Sequence, residues 1–313
     1  MEYVLLIAGF ILLLSGGKML VTGGVALAKR FNVSSLVIGL TVVSFGTSAP
    51  ELFVSLVASI KNHPEVAFGN VIGSNIANIA LVLALTAIIF PIPVRSNSVK
   101  FDAPFMLFIS LLLWLLISNL SLNRLEGITF LILLSGYTFA LFRFSGTNRL
   151  QPNIPNSEKS MSIGKIILLL LLADVGLAIG SDLLVDNAGI IAQNIGIDER
   201  IIAITVIAFG TSLPELTTSV IAAFRKEMDI SIGNIIGSNI FNILAVLGIS
   251  SVVKPMKVNP DFLGSDIYWM VGISVLLFLF ILPFKGGKLT RMKAAVLFII
   301  YCVYVYILYF HTS

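Results

Sequence analysis

The sequence predicts an all-α integral membrane protein with ten transmembrane helices, arranged as two inverted repeats of five. Three observations lead to this fold class: 57% of the 313 residues are hydrophobic, only 12% are charged, and two sequence motifs each occur twice at one offset. Soluble domains carry roughly 25% charged residues, about twice this share. The composition therefore excludes a soluble enzyme, a nucleic-acid-binding protein and a disordered chain. We expect a lipid bilayer as surroundings, with no nucleic acid and no obligatory protein partner.

Ten apolar runs are long enough to cross a membrane, which takes about 20 residues in a helix. They lie at 3–28, 33–60, 65–90, 102–120, 123–143, 162–192, 197–224, 229–253, 264–282 and 291–310. The largest polar connection is 144–161, so the chain has no room for a soluble domain. Its one cysteine, Cys302, excludes an internal disulfide and a cysteine metal cluster.

The basic residues are divided unevenly between alternate loops. Five lie in the loops on the N-terminal side of the membrane and fourteen in the loops on the other side. Because the cytoplasmic loops of membrane proteins are rich in Lys and Arg, we expect both termini outside and the linker 144–161 in the cytoplasm. The predicted location is the cell (plasma) membrane, which the chain would cross many times.

Two segments of the first half recur in the second half at the same offset of 164 residues. The longer pair is identical at 11 of 21 positions and the shorter pair at 11 of 15. The pairs are 39–59 with 203–223, and 69–83 with 233–247. One offset for both pairs indicates a tandem duplication.

The duplication sets the predicted domain boundaries. They are a first five-helix repeat at 1–150 with its motif at 39–83, a linker at 151–161, and a second repeat at 162–313 with its motif at 203–247. Five is an odd number of spans, so the second repeat would cross the membrane in the opposite direction to the first. Inverted repeats of this kind are common in secondary transporters, whose binding site lies where the repeats meet.

Glu51 and Glu215 occupy equivalent places in the two repeats, each directly after a proline and inside a long apolar run. A carboxylate at membrane depth is costly unless a partner or a cavity compensates it, so it marks a candidate functional site. No basic residue lies nearby in the sequence. The partner that we expect for these carboxylates is therefore a cation.

Pro50 and Pro214 are expected to break the helices at these glutamates. Neither proline can donate a hydrogen bond to the carbonyl four residues before it, at Gly46 and Gly210. Unwound backbone at membrane depth is tolerated only inside protein or beside a water-filled cavity. The carbonyls near each break become candidate ligands: those of Ser44, Phe45, Ala208 and Phe209. A proline kink that serves packing alone would explain the prolines but not the polar residues around them.

Hydroxyl side chains precede each glutamate by three and four residues and would share its helix face. They are Thr47 and Ser48 in the first repeat, and Thr211 and Ser212 in the second. In a single span such hydroxyls more often bond back to their own backbone. Their repetition beside both glutamates favours a part in the site.

A polar stripe runs along the third and eighth spans, with residues spaced at i, i+4 and i+8. It consists of Asn70, Ser74 and Asn78 in one repeat and of Asn234, Ser238 and Asn242 in the other, with Asn75 and Asn239 slightly off it. We interpret Asn78 and Asn242 as ion ligands or as direct supports of the ligands. Glycines four residues apart in the same spans predict close packing of helices: Gly69 with Gly73, and Gly233 with Gly237.

The candidate ligand atoms are all oxygens, from carboxylates, amides, hydroxyls and carbonyls. Such a set suits a hard cation, Na⁺ or Ca²⁺. Two carboxylates balance one Ca²⁺ or two Na⁺, so these ions would compete for the same charges and could not all be bound together. This competition is the physical basis of exchange, with the ions as transported cargo and no cofactor.

The paired motifs resemble the two α-repeats of the Na⁺/Ca²⁺ exchanger family, within the cation/Ca²⁺ antiporter superfamily. GTSAPE and GNVIGSNIANI in the first repeat recur as GTSLPE and GNIIGSNIFNI in the second. The likeness covers essentially the whole chain, and the short linker is more similar to prokaryotic members. It implies a core of spans 2, 3, 7 and 8, with spans 1 and 6 sliding across it to give alternating access to a midplane site.

By this resemblance, Glu51 and Glu215 would ligate both Ca²⁺ and Na⁺, with Asn78 and Asn242 flanking the centre. The Na⁺ sites would be completed by Thr47, Ser48, Thr211, Ser212, Ser74 and Ser238, with the carbonyls near Ser44 and Ala208. Many family members, including the K⁺-dependent branch, carry Asp where this chain has Asn242. The neutral amide argues against a K⁺ requirement.

The predicted function is therefore Na⁺/Ca²⁺ antiport driven by the Na⁺ gradient. A H⁺/Ca²⁺ exchanger that uses the same glutamates stays open as an alternative, and so does a cation channel. An enzyme is not expected, since the sequence shows no nucleophile–base pair and no phosphate-binding loop.

Overall fold

The computed structural model describes residues 1–93, 96–145, 161–196, 210–260, 262–282 and 288–311. The helices of the first half are α1 Glu2–Phe31, α2 Ser35–Thr47, α3 Ala49–Ile60, α4 Pro64–Ile89, α5 Ser96–Leu116 and α6 Arg124–Ser145. Those of the second half are α7 Ile163–Asn194, α8 Leu213–Phe224, α9 Met228–Val253, α10 Phe262–Ile281 and α11 Arg291–His311. The strands are β1 Ile92–Pro93, β2 Ser121–Leu122, β3 Met256–Lys257 and β4 Lys288–Leu289.

Within the described residues, eight helices are long and apolar enough to cross a membrane, and nine spans result if the bent pair α2 and α3 counts as one. The predicted spans at 65–90 and 229–253 agree within one residue with α4 and α9. The predicted span at 197–224 is described only from residue 210 onward, where α8 is an apolar helix of 12 residues. The all-helical membrane class is confirmed, and the count of ten spans stays a prediction.

The ends of the two longest helices follow from their sequences. Helix α1 carries Glu2 in its first turn and Lys29 and Arg30 in its last, so these charges complement the helix dipole. It ends at Asn32, whose φ of 54° is left-handed, a conformation that Asn adopts more readily than most residues. Helix α7 begins after Ser162, whose hydroxyl accepts a backbone N–H of the first turn.

The duplication seen in the sequence recurs in the secondary structure. Helices α3 and α4 and strand β1 have counterparts that begin and end 164 residues later, in α8, α9 and β3. The π-helical turns inside α4 and α9 also correspond, at Asn78–Leu83 and Asn242–Leu247. Strand β1 pairs with β4 and β2 pairs with β3, both antiparallel, so each pair joins the two halves. The opposite orientation of the halves in the membrane stays a prediction.

The helices form two packed groups. The larger hydrophobic core joins α4 and α9 with α5, α6, α10 and α11. The smaller one joins α1 and α7 with residues of α2 and α8. Helices α1 and α7 lie against each other through glycines, since a Cβ on Gly9 would lie 2.8 Å from the carbonyl oxygen of Gly180. Helix α7 also touches both proline breaks, at Gly46 and Gly210.

The close packing predicted from the paired glycines is confirmed for the second pair. A Cβ on Gly237 would lie 2.7 Å from the backbone oxygen of Leu40, so α9 lies directly against α2. For the first pair, the equivalent contact would be with the segment around residue 204, 164 residues after Leu40. That segment lies outside the described residues. The prediction for that pair stays open.

Candidate functional site

The helix break of the first repeat lies at Ser48, and its counterpart in the second repeat is Ser212. Ser48 stands between α2 and α3, which are bent by 48°, and Ser212 stands directly before α8. Their backbone angles are nearly the same, φ −92° with ψ 7° and φ −92° with ψ 4°. The proline that follows each serine occupies the first turn of its helix, where a missing N–H is tolerated. The break predicted from Pro50 is confirmed, and the described part of the second repeat has the same geometry.

Glu51 and Glu215 lie in the first turns of α3 and α8 and are 1% and 0% exposed. The positive end of a helix dipole favours a carboxylate in this position, but its effect is much smaller than that of a full counter-charge. In the parts of the chain that the structure describes, neither glutamate forms an ion pair with a basic side chain. The two carboxylates are therefore buried without a basic partner in the described parts of the chain.

Glu215 receives hydrogen bonds from both repeats. The hydroxyl of Ser48 donates to its Oε1 over 3.2 Å, and the hydroxyl of Ser238 does so over 3.4 Å. Because Ser48 belongs to the break beside Glu51, this bond joins the two breaks in a single site.

Thr47 also contacts side chains of the second repeat. Its hydroxyl donates to Oδ1 of Asn234 over 3.0 Å and lies 3.3 Å from the hydroxyl of Ser238. The sequence spacing placed Thr47 and Ser48 on the same face as Glu51. The helix is interrupted at Ser48, so this spacing does not hold. The hydroxyl of Ser48 bonds to the other repeat, and that of Thr47 shares its hydrogen between Asn234 of the other repeat and the carbonyl of Ser44 in its own helix.

Around Glu51 the hydrogen bonds are fewer. Asn70 donates to the Glu51 backbone carbonyl over 3.1 Å. Both carboxylate oxygens of Glu51 lack a hydrogen-bond donor among the described residues, and the hydroxyls of Ser74 and Ser212 have no partner there. Buried polar atoms are rarely left unpaired in proteins. These buried oxygens therefore keep lone pairs that would suit a cation.

Asn78 and Asn242 lie where α4 and α9 change to π-helical turns. Such turns often occur at functional sites. Among the described residues, both amide atoms of Asn78 are unpaired, and so is Oδ1 of Asn242. The Nδ2 of Asn242 donates to Oδ1 of Asn75 over 3.1 Å. The two amides are therefore held differently, although their sequence positions are equivalent.

Of the remaining predicted ligands, Ser44 and Thr211 lie among the described residues and Ala208 does not. The carbonyl of Ser44 accepts the backbone N–H of Ser48 over 3.0 Å and the hydroxyl of Thr47 over 3.3 Å. Thr211 lies at the second break and is partly buried. Ala208, like Phe209, lies outside the described residues, so the structure does not test its predicted role.

Two residues of α7 that the sequence did not bring into the site touch the breaks. The hydroxyl of Ser181 donates over 2.7 Å to the carbonyl of Gly210, which Pro214 leaves without its helical partner. The carboxylate of Asp174 lies so close to Gly46 that a Cβ on this glycine would collide with it. Comparison of the two repeats could not identify Ser181 as a site residue, because the equivalent residue of α1 is a glycine.

Comparisons with known proteins cover nearly the whole chain. The family model described as sodium/calcium exchanger protein matches residues 1–143 and 165–310. The chain is 36% identical to the putative antiporter CaxA of Alkalimonas amylolytica, over 91% of either protein. It is 31% identical to the sodium/calcium exchanger MaX1 of Methanosarcina acetivorans, over 99% of either protein. Its fold matches a structure of the sodium-calcium exchanger NCX_Mj soaked with 10 mM Na⁺ and 10 mM Sr²⁺, with a TM-score of 0.81, 33% identity and 96% of each chain covered.

Proposed function

The chain belongs to the sodium/calcium exchanger protein family, and from this premise we propose that it exchanges Na⁺ for Ca²⁺ across the cell membrane as a secondary antiporter. One observation carries the proposal. Three of the four carboxylate oxygens of Glu51 and Glu215 are buried without a hydrogen-bond donor among the described residues. A buried carboxylate in this condition must either take up a proton or gain a positive partner, and we infer that a transported cation is that partner.

We infer that the two carboxylates hold Ca²⁺ and Na⁺ in turn. The other proposed ligands are the side chains of Thr47, Ser48, Thr211, Ser212, Ser74, Ser238, Asn78 and Asn242, and the carbonyls of Ser44 and Ala208. All of them offer oxygen atoms, which hard cations prefer. Two negative charges balance one Ca²⁺ or two Na⁺, so the binding of one kind of ion opposes the binding of the other.

We further propose ten spans in two inverted repeats, with both termini outside and the linker 144–161 in the cytoplasm. The 164-residue correspondence of helices and strands supports the repeats, and the uneven distribution of basic residues supports the orientation. Helix α7 contacts both breaks and packs along α1. A movement of this pair would therefore change access to the site from either side of the membrane.

The test is radiocalcium uptake into Na⁺-loaded proteoliposomes that contain the purified protein, at fixed pH. We expect uptake to require the outward Na⁺ gradient and to be lost in Glu51→Gln and in Glu215→Gln. Glu65→Gln is the matched control, because it makes the same chemical change at a side chain that is 52% exposed. This variant is expected to take up Ca²⁺ like the wild type.

The same assay, run once more with a pH gradient in place of the Na⁺ gradient, separates the alternatives. Uptake that follows a pH gradient and ignores Na⁺ would identify a H⁺/Ca²⁺ exchanger. Uptake that needs no counter-ion gradient would identify a channel. Normal uptake by either glutamate variant would exclude a site built on two carboxylates.

A further inference from the structure

We propose that Asn75 is a positioning residue that turns the oxygen of the Asn242 amide toward the ions, and that it adapts the centre of the site to a neutral residue at position 242. The inference rests on the proposed function, since it concerns the orientation of a ligand in that site.

The orientation of the Asn75 amide is set by its surroundings. Its Nδ2 donates to the backbone carbonyl of Asn239 over 3.3 Å and lies 3.8 Å from the sulfur of Met270, a weak acceptor. The side chain is 1% exposed, so water does not compete for these atoms. With Nδ2 engaged in this way, Oδ1 is left as the acceptor on the other side.

Asn242 is oriented by that acceptor. Its Nδ2 donates to Oδ1 of Asn75 over 3.1 Å, which leaves its own Oδ1 unpaired and directed away from Asn75. An amide can offer a cation only its oxygen, since its NH₂ group carries the positive end of the dipole. The contact with Asn75 therefore presents Asn242 to a cation in the productive orientation before any ion arrives.

The equivalent contact in the other repeat is missing. Asn239 is the counterpart of Asn75, but its Nδ2 donates over 2.7 Å to the carbonyl of Ile235, one turn back in the same helix. Asn78 is the counterpart of Asn242, and among the described residues neither of its amide atoms has a partner. One centre amide is thus held in place by its neighbour, whereas the other must be oriented by the ion itself.

This arrangement disfavours a carboxylate at position 242. An Asp there would place an oxygen against Oδ1 of Asn75, where the structure now has a donor. If Asn75 turned its amide over, its oxygen would face the Asn239 carbonyl, which is also an acceptor. In either case two buried acceptor oxygens face each other without a donor between them, which is energetically unfavourable. The network accepts Asn and rejects Asp through this mismatch.

The first experiment compares Asn75→Leu with Asn239→Leu in the purified protein. The two asparagines occupy equivalent positions in the two repeats, and each side chain is 1% exposed, so the two variants are closely matched. The readout is the affinity for radiocalcium at equilibrium, measured with and without competing Na⁺. We expect Asn75→Leu to weaken Ca²⁺ binding about tenfold, the lower end of what loss of an outer hydrogen bond to a metal ligand costs. Asn239→Leu is expected to keep the wild-type affinity.

A second experiment tests the specificity for a neutral residue with a double-mutant cycle. Asn242→Asp is measured alone and combined with Asn75→Leu. We expect Asn242→Asp to weaken Ca²⁺ binding less when Asn75 is absent, because the opposing acceptor is then gone. If Asn75 had a purely structural role, Asn242→Asp would weaken Ca²⁺ binding by the same factor with and without Asn75→Leu. Asn75→Ser, which is too short to reach Asn242, replaces Asn75→Leu if the latter does not yield folded protein.

The outcomes separate this inference from the proposed function. Suppose that the wild type exchanges Na⁺ for Ca²⁺, but Asn75→Leu and Asn239→Leu bind Ca²⁺ with equal affinity or the double-mutant cycle is additive. The role inferred for Asn75 is then wrong, whereas the proposed exchange function still holds. A wild-type protein that binds neither Ca²⁺ nor Na⁺ would overturn both.

Discussion

The Ser48 hydroxyl, at the break of the first repeat, donates to the Glu215 carboxylate of the second repeat over 3.2 Å. The equivalent hydroxyl of Ser212 has no hydrogen-bond partner among the described residues, and neither oxygen of Glu51 has a donor there. Two halves with the same motif therefore meet in an asymmetric site. In the second repeat the protein bonds one oxygen of the carboxylate, and in the first repeat both carboxylate oxygens lack a donor among the described residues.

This asymmetry predicts different effects of the same substitution at the two breaks. Ser48→Ala removes a donor from a buried carboxylate, so we expect the free energy of unfolding to fall by about 1–3 kcal/mol. Ser212→Ala removes a hydroxyl that is buried without a partner, and we expect no loss of stability. The measurement is denaturant or thermal unfolding of the two purified variants without Ca²⁺. Equal losses in both would show that the bond between Ser48 and Glu215 does not stabilise the protein.

The fold and the candidate site were predictable from the sequence to different degrees. The lengths of apolar runs located α4 and α9 within one residue, because the thickness of the bilayer sets the length of a span. Pro50 located the break, because its missing N–H interrupts the helix. These properties depend only on residues that are close in the sequence.

The contacts across the site were not predictable in this way. Asn75 and Asn239 lie in the same local sequence, GSNI, yet one bonds to Asn242 and the other to its own helix. Likewise, helical spacing places Ser48 beside Glu51, whereas the structure pairs it with Glu215. Whether a side chain bonds within its own repeat or to the other repeat depends on how the two halves pack. The similarity of the two repeats in sequence gives no information on where their structures differ.

A second prediction concerns K⁺. Asn242 contributes no charge, so the proposed site holds two carboxylates, whose charges are already balanced by one Ca²⁺ or two Na⁺. We expect Na⁺-dependent Ca²⁺ uptake to proceed at an unchanged rate when K⁺ is removed from both faces of the proteoliposome. The measurement replaces K⁺ with choline inside and outside. Uptake that vanishes without K⁺ and returns when it is restored would contradict the prediction.

A third prediction concerns the close approach of α9 to α2. In Gly237→Ala the new methyl group would lie 2.7 Å from the backbone oxygen of Leu40, which can move only if the two helices separate. We expect a loss of about 1–3 kcal/mol in the free energy of unfolding, as is usual for overpacking. Ca²⁺ uptake is expected to fall as well, because α2 carries Thr47 and Ser44 into the site.

Gly136→Ala is the control for this substitution. No described atom lies within 4 Å of a Cβ at that position, and Ala is the better residue for a helix. We expect this variant to be as stable as the wild type or slightly more stable. If Gly237→Ala were equally well tolerated, α9 and α2 would have to be farther apart than the structure places them.

The last prediction concerns the link between α7 and the second break. Pro214 cannot donate to the carbonyl of Gly210, and the Ser181 hydroxyl supplies the missing donor over 2.7 Å. Ser181→Ala would leave this carbonyl unpaired, so we expect the free energy of unfolding to fall by about 1–3 kcal/mol. Ser110→Ala is the control, because that buried hydroxyl donates only within its own helix, to Met106.

Equilibrium Ca²⁺ binding separates the structural role of Ser181 from a role as a ligand. The serine bonds to backbone and does not bond to Glu51 or Glu215, so we expect Ser181→Ala to bind Ca²⁺ like the wild type while it unfolds more easily. If Ser181→Ala were as stable as Ser110→Ala, the bond to Gly210 would contribute nothing to the second break. A loss of Ca²⁺ affinity without a loss of stability would instead make Ser181 part of the ion site.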